Sequence, residues 1–195
     1  MSAATLRWLA AAEPPDAAAV HRVVAAVMEQ GGAVGWLGVP SYAETVRWLD
    51  GILAAVAAGQ ARFAVVERAG RIEALGRWVR YEKPTVSVNA DVQQVMVHPA
   101  ARGGGLARLL VTALVDDARA AGIEVLTLDV RGNNHAAMAL YESVGFTVRG
   151  RLPDFVAVGE DRWDRVLYAR DLRSPGSVVR RHGGHPFGAG ASRVC

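Results

Sequence analysis

The sequence predicts an α/β domain, a mixed sheet of about seven strands covered by about four helices. Three observations carry that expectation. Three strand candidates follow one another across residues 62–98; from Leu106 onward helical and strand patterns alternate; and the segment ahead of them repeats its apolar residues at helical spacing. Strands that pair locally, followed by a strand–helix–strand crossover, build a sheet with both parallel and antiparallel neighbours.

The elements are expected in the following order. Ala4 to Ala10 forms a short first strand. From Pro14 to Gln30, Val20, Val23, Val24 and Val27 fall on one helical face, with a proline suited to the first turn and Gly31-Gly32 as the stop. A second helix runs from Ser41, which caps it in a box with Glu44, to Ala58, where Gly59 ends it. The loop between them, Gly31 to Trp36, is glycine-rich and carries a large aromatic. Strands then occupy Arg62–Arg68, Ile72–Tyr81 and Ser87–His98, the first two joined by an Ala69-Gly70 turn. Leu106, Leu109, Leu110, Ala113 and Leu114 give a helical stripe that continues to Ala121 before Gly122. Val125–Val130 reads as a buried strand interrupted by Thr127 and Asp129. A helix from Asn134 to Val144 ends at Gly145, and Phe146–Arg149 and Arg165–Ala169 close the sheet. Beyond Leu172 the composition turns to glycine, proline and arginine. We therefore divide the chain into a domain over 1–172 and a flexible tail over 173–195.

Composition limits what such a domain does. At 195 residues, with 51% hydrophobic and 21% charged residues, the chain has the make-up of a globular protein with one core. Its one cysteine is Cys195, so neither an internal disulfide nor a cysteine metal cluster is available, which favours a reducing compartment. The apolar stretch after Arg7 is broken by Glu13-Pro14-Pro15-Asp16, and the Ile52–Ala58 run is too short to span a bilayer, so the expected location is cytoplasmic. The net charge is +3, yet residues 173–195 hold four arginines and no acid, leaving positions 1–172 at −1. That balance supports no basic face for nucleic acid.

The most informative segment runs from Val95 through His98-Pro99-Ala100-Ala101 to Arg102-Gly103-Gly104-Gly105-Leu106-Ala107. A strand enters a glycine turn and the turn opens a helix. Unpaired N–H groups and the helix dipole favour an anion there, glycines let it approach the backbone, and Arg102 adds a charge. A nucleotide P-loop would need Gly-Lys-Ser/Thr where Leu106-Ala107-Arg108 stands, and the dinucleotide fingerprint needs a small residue at Arg108.

Two motifs together resemble the GNAT N-acetyltransferase superfamily. Arg102, Gly105 and Ala107 match its Arg/Gln-x-x-Gly-x-Gly/Ala signature, preceded by Val97-His98-Pro99; downstream, Asn134, Ala137, Leu140, Tyr141, Glu142, Gly145 and Phe146 match its second motif. The resemblance implies a sheet splayed between its fourth and fifth strands, near Met96 and Asp129. The pantetheine arm of acetyl-CoA would lie in that gap on the backbone of Met96 and Val97. Its pyrophosphate would sit on Arg102, Gly103, Gly104, Gly105, Leu106 and Ala107, with Asn134 helping to hold the arm and no metal required. Tyr141 falls at the family's general-acid position, for direct acetyl transfer to an amine.

The base is open between two acids. The positions where many members carry a glutamate hold Gln93 and Gln94, which take no proton. Asp91 opens the same strand and is read either as a solvated strand end or as a base. Asp129 interrupts an apolar strand, where a carboxylate is costly unless paired or placed at an opening. Gly31–Trp36, Trp48–Gly51, Lys83-Pro84 and Gly150–Pro153 further resemble the tabtoxin-resistance type of acetyltransferase, which acts on a β-lactam amino-acid toxin. In that type, acids matching Asp91 (there a glutamate) and Asp129 and a tyrosine matching Tyr141 are proposed as catalytic. Trp36 is a candidate wall of the acceptor pocket; His98 and His135 are set aside as solvated. The expected partner is a small amine in a monomer or homodimer, with antibiotic resistance as one setting. A protein N-terminus or lysine, or a silent acyl-CoA-binding module, are the alternatives.

Overall fold

The computed structural model describes residues 3–32 and 35–173; the expected tail from residue 174 onward, and Ala33 and Val34 of the glycine loop, lie outside them. The elements are β1 (Ala4–Leu9), α1 (Pro14–Glu29), α2 (Tyr42–Ala57), β2 (Ala61–Arg68), β3 (Arg71–Arg80), β4 (Asn89–Val97), α3 (Leu106–Ala120), β5 (Val125–Arg131), α4 (His135–Ser143), β6 (Thr147–Val158) and β7 (Asp161–Asp171). The seven strands form one sheet in the order β1-β2-β3-β4-β5-β7-β6, with β4 and β5 parallel and the other neighbours antiparallel.

Local chemistry sets the helix ends. Ser41 accepts a hydrogen bond from the Glu44 N–H while the Glu44 carboxylate accepts from the Ser41 N–H at 2.7 Å, a capping box of the kind that stabilises a helix by about 1 kcal/mol. Gly105, at φ 75°, starts α3 in the left-handed region, where no side chain caps it. The N–H groups of the first turn of α3 are therefore left for another partner.

The sheet separates two apolar layers. On one face α3, α4 and the turn after α4 bury Leu110, Leu114, Tyr141 and Phe146 against Ala90, Val92, Leu126, Leu128 and Tyr168. On the other, α1 and α2 bury Val20, Val24, Leu49 and Ile52 against Phe63, Val65, Leu75 and Met96. Val92 and Met96 are an even number of residues apart and would share a face in a regular strand. They lie on opposite faces because β4 carries a bulge: Leu75 pairs with Met96 but Arg77 pairs with Gln93, and Gln94 takes φ 56°. A bulge bends its strand. Its consequence appears on the other edge of β4, which pairs with β5 only from Asn89–Asp91 to Val125–Thr127. Past Thr127 the two strands part, and the expected splay is present.

The closing strands are longer than expected. Pro153 reads as a breaker in the sequence, yet β6 runs through it. The register shifts between Leu152 and Val156, Asp154 takes φ 53°, and β6 is the edge strand, where a missing N–H costs no ladder bond. β4 begins at Asn89 rather than Ser87 because Pro84–Val86 wind into a short 3-10 turn.

Candidate active site

The glycine turn has the conformation that an anion cradle needs. Gly103 and Gly105 take φ 78° and 75°, and the space where their Cβ atoms would stand is open. Gly104 differs: a Cβ there would lie 2.7 Å from Nη1 of Arg68, at the end of β2. Arg68 thus brings a second guanidinium to the turn, and no local pattern could disclose it because it lies in a strand far upstream. Arg102 donates from Nη1 to Oε1 of Gln30 at 2.8 Å, tying the turn to the end of α1.

Two cavities meet beside this turn. One, of about 360 Å³, is floored by Gly103, Gly105, Leu106 and Ala107 and walled by Val97, Arg108 and Leu140. The other, of about 470 Å³, is lined by Gly31, Gly32, Asp129, Arg131, Asn134 and Val156 among others. Val95, Arg102, Ala136, Ala137 and Tyr141 line both. The splay between β4 and β5 therefore opens into a passage from the turn to Asp129. Met96 lines neither cavity, and its side chain is buried among α1 and α2. Asn134 caps α4, its Oδ1 accepting from the Ala137 N–H at 3.2 Å, and still faces the larger cavity.

Tyr141 is 8% exposed and is held edge-on by Phe146 and at a tilt by Tyr168. Burial, with a smaller contribution from the charge of Asp129, pushes its hydroxyl well above the ordinary phenol range. It therefore keeps its proton, as a donor must.

The two acids sit in different settings. Asp129 lies on the edge of the larger cavity, one-third exposed, and pairs with Arg165 of β7 at 2.5 Å. Asp91 does not line that cavity and is not a solvated strand end. Its Oδ1 accepts from Thr127 Oγ1 at 2.6 Å and its Oδ2 from Gln93 Nε2 at 3.1 Å; Thr127 in turn shares a 2.6 Å hydrogen bond with Tyr81. Burial raises the Asp91 carboxyl above its usual range; the Thr127 and Gln93 bonds oppose that shift, and Asp129 adds to it.

The structure thus brings the turn, Asn134, Tyr141 and Asp129 around one passage and leaves Asp91 one strand away. Trp36 is elsewhere: it packs on Trp48, ring centroids 5.1 Å apart, and lines neither cavity. Besides Arg68, sequence reasoning missed Thr127 and Arg165, whose partners become visible only in the β4–β5 and β5–β7 registers. Among the described residues no group of three or more His, Cys, Asp or Glu is placed to hold a metal, and no helix is long and apolar enough to cross a membrane.

A mixed seven-stranded sheet parted at its one parallel junction, with a glycine turn and a buried tyrosine at the opening, defines a class of α/β protein with an anion cradle at a split sheet. Residues 13–146 match the acetyltransferase (GNAT) family, and the chain belongs to it. It is 42% identical to the L-methionine sulfoximine/L-methionine sulfone acetyltransferase of Salmonella typhimurium over 69 residues, 35% of this chain and 40% of that protein. It is 34% identical to the [ribosomal protein bS18]-alanine N-acetyltransferase of Escherichia coli over 80 residues, 41% of this chain and 54% of that protein. The chain thus spans about half the length, or less, of these curated relatives. The fold matches that of yncA from Salmonella typhimurium, solved with its cofactor acetyl-CoA, at a TM-score of 0.75 and 24% identity, over 90% of this chain and 97% of that one.

Proposed function

We propose that this protein transfers the acetyl group of acetyl-CoA directly to the primary amine of a small amino-acid-like compound. One observation carries the reading: Tyr141 stands where a cavity floored by the glycine turn joins a cavity edged by Asp129. The turn, Arg102 and Arg68 hold the pyrophosphate, and the parted edge of β4 at Val97 takes the pantetheine arm. The amine enters beside Asp129 as an ammonium and loses a proton to Asp91, through bound water, or directly to water. Its nitrogen then attacks the thioester carbonyl, the C–N bond forms and the C–S bond breaks. The departing sulfur takes the Tyr141 proton, which is regained from solvent. An ordinary phenol (pKa about 10) is a weak acid toward a thiolate (thiol pKa about 8.5), but the burial that keeps Tyr141 protonated also destabilises a thiolate released beside it.

A small acceptor is favoured by the cavity of about 470 Å³, within the roughly 300–1,000 Å³ typical of small-molecule sites. The relative that acts on methionine sulfoximine supports an amino-acid toxin or antibiotic-like compound. The bS18-alanine relative supports a second reading, acetylation of a protein N-terminus. A thiol-release assay with acetyl-CoA against L-methionine sulfoximine, common amino acids and alanine-starting peptides separates the two. Turnover of the small amines is expected, and preference for peptides throughout would overturn the substrate class. Calorimetric titration tests the cofactor site: Gly105→Glu adds a like charge at the pyrophosphate and should abolish acetyl-CoA binding. Gly105→Ala, which carries the same backbone strain of about 1–2 kcal/mol, controls for conformation. Unchanged affinity in the glutamate variant would remove the assignment.

A further inference from the structure

Arg165 and Asp129 form an ion pair of opposite charges at the edge of the acceptor cavity, and the arginine is largely unused. Among the described residues its only side-chain hydrogen bond is from Nη2 to Asp129, and its Nε is buried without a partner. Its guanidinium lies 5.3 Å from the ring centroid of Phe155, a side chain 56% exposed on the edge strand. Arg165 and Asp129 are each about one-third exposed. An ion pair at that exposure contributes roughly 0–1 kcal/mol, so parting it costs little. A guanidinium carries five donors in a plane and grips a carboxylate through two of them.

We propose that this pair is the recognition device for a zwitterion: the acceptor is a free α-amino acid, its carboxylate bound by Arg165 and its ammonium by Asp129. The proposal rests on the amino-acid reading above and narrows it to acceptors that retain a free α-carboxylate. An α-amino acid holds its two charges a few ångströms apart on one carbon, so it fits between two opposite charges that already touch. Each half of the pair exchanges its protein partner for a substrate partner, and no charge is left unpaired. The ammonium so held lies at the cavity that Tyr141 also lines, while the carboxylate is directed away from it, onto the guanidinium over Phe155. Arg131 and Arg77 are two nearby cations, and each has a partner of its own, although Nε of Arg77, like that of Arg165, is buried without one. Arg131 donates to Asn133 and to the Gly31 carbonyl, and Arg77 donates to Gln93 at 2.7 Å.

The test uses L-methionine sulfone and its α-carboxamide, which share the side chain and the α-amine while the carboxamide lacks the carboxylate charge. Binding to the acetyl-CoA-loaded protein is measured by calorimetry, and turnover by thiol release. The acid should bind about 10–100-fold more tightly than the carboxamide, the usual worth of a charge-assisted pair. Arg165→Gln should erase that preference by weakening the acid and leaving the carboxamide within about threefold. Arg165→Lys should restore part of it. Equal binding of acid and carboxamide by the wild type would overturn the proposal and point to peptide-like acceptors. An Arg165→Gln variant that weakens both ligands alike would also overturn it, because Arg165 is then structural. Tight, acid-selective binding without acetyl transfer would sustain this inference while defeating the proposed reaction.

Discussion

The two ends of the sheet are finished differently. In β2 the consecutive residues Phe63, Ala64, Val65 and Val66 are all fully buried, because α1 and α2 cover one face and α3 the other. In β5 burial alternates: Leu126, Leu128 and Val130 are buried toward α3 and α4, while Thr127, Asp129 and Arg131 face the open side and are not. In β6 every residue is exposed or half-buried. The polar groups that can do chemistry, Asp91, Thr127, Asp129 and Arg165, all lie from the β4 edge outward on that open face. A carboxylate placed between β2 and β3 would be desolvated on both sides. At the seam it can be paired and still meet a ligand. The bulge at Gln94 and the parting of β4 from β5 lie at the same seam, so the backbone opens where the coverage ends.

Tyr141 joins the two halves, since it is buried with the covered core and faces the passage to the open side. Tyr141→Phe keeps the ring contacts with Phe146 and Tyr168 and removes the proton. The expected loss is roughly 10²–10⁴-fold in kcat, with the acetyl-CoA Kd nearly unchanged. Steady-state kinetics together with calorimetry reads both quantities. Wild-type turnover in the variant would make Tyr141 a core residue and place the chemistry wholly on the open side.

The next effect compares the halves with the same chemical change. Leu110 in α3 is fully buried beneath Gly76, whose Cβ position would lie 3.3 Å from Leu110 Cδ2; Leu152 on β6 is 38% exposed. Leu110→Ala should cost about 2–5 kcal/mol of unfolding free energy. Leu152→Ala should cost less than about 1 kcal/mol. Urea midpoints at constant slope measure both. Similar losses would mean that the open face is covered in solution, by a second copy of the chain or by another partner.

The same contrast explains what the sequence could disclose. The covered half follows local rules: Ser41 and Glu44 announce the α2 capping box, valines at helical spacing announce α1, and glycines with Arg102 announce the turn. The seam does not. Gln93 and Gln94 are two polar residues inside a strand, and neither is a residue type that signals a left-handed backbone. The switch of faces between Val92 and Met96 is thus invisible to a period-two reading. Pro153 is a breaker by every local rule, and only its position on an edge strand makes it tolerable. The Asp129–Arg165 pair and the approach of Arg68 to Gly104 join residues 36 apart in the sequence, and they exist only once the register does. Tyr141 and the turn were legible because they fall within motifs, and Asp129 because it interrupts an apolar strand. Trp36 was expected at the acceptor pocket from its glycine-rich loop, but an apolar surface on Trp48 was available to it.

The smallest expected effect concerns Asp91, and it tests whether the seam tolerates a carboxylate at a cost. Burial raises the Asp91 carboxyl in the folded protein, so the folded state holds a proton at pH values where the unfolded chain has lost it. Stability must then fall as pH rises from the ordinary aspartate range, about 3.9, through the raised folded value, and become flat above it. Asp91→Asn keeps an acceptor for Thr127 and lacks the titration. Its unfolding free energy should therefore lack this downward slope, and relative to the wild type it should gain with pH across that window, by much less than the Leu110 effect. The same shift bears on catalysis. If Asp91 takes the amine's proton, its basic form appears only above the raised value, so the asparagine variant should lose rate most above that value and below the amine's own pKa, where the acceptor is still an ammonium. An unchanged pH–rate profile with an altered stability slope would leave Asp91 as a buried structural acid bonded to Thr127 and Gln93, and the proton would then leave to water beside Asp129. If neither profile changes, Asp91 is solvated in solution and the seam is more open than its hydrogen bonds indicate.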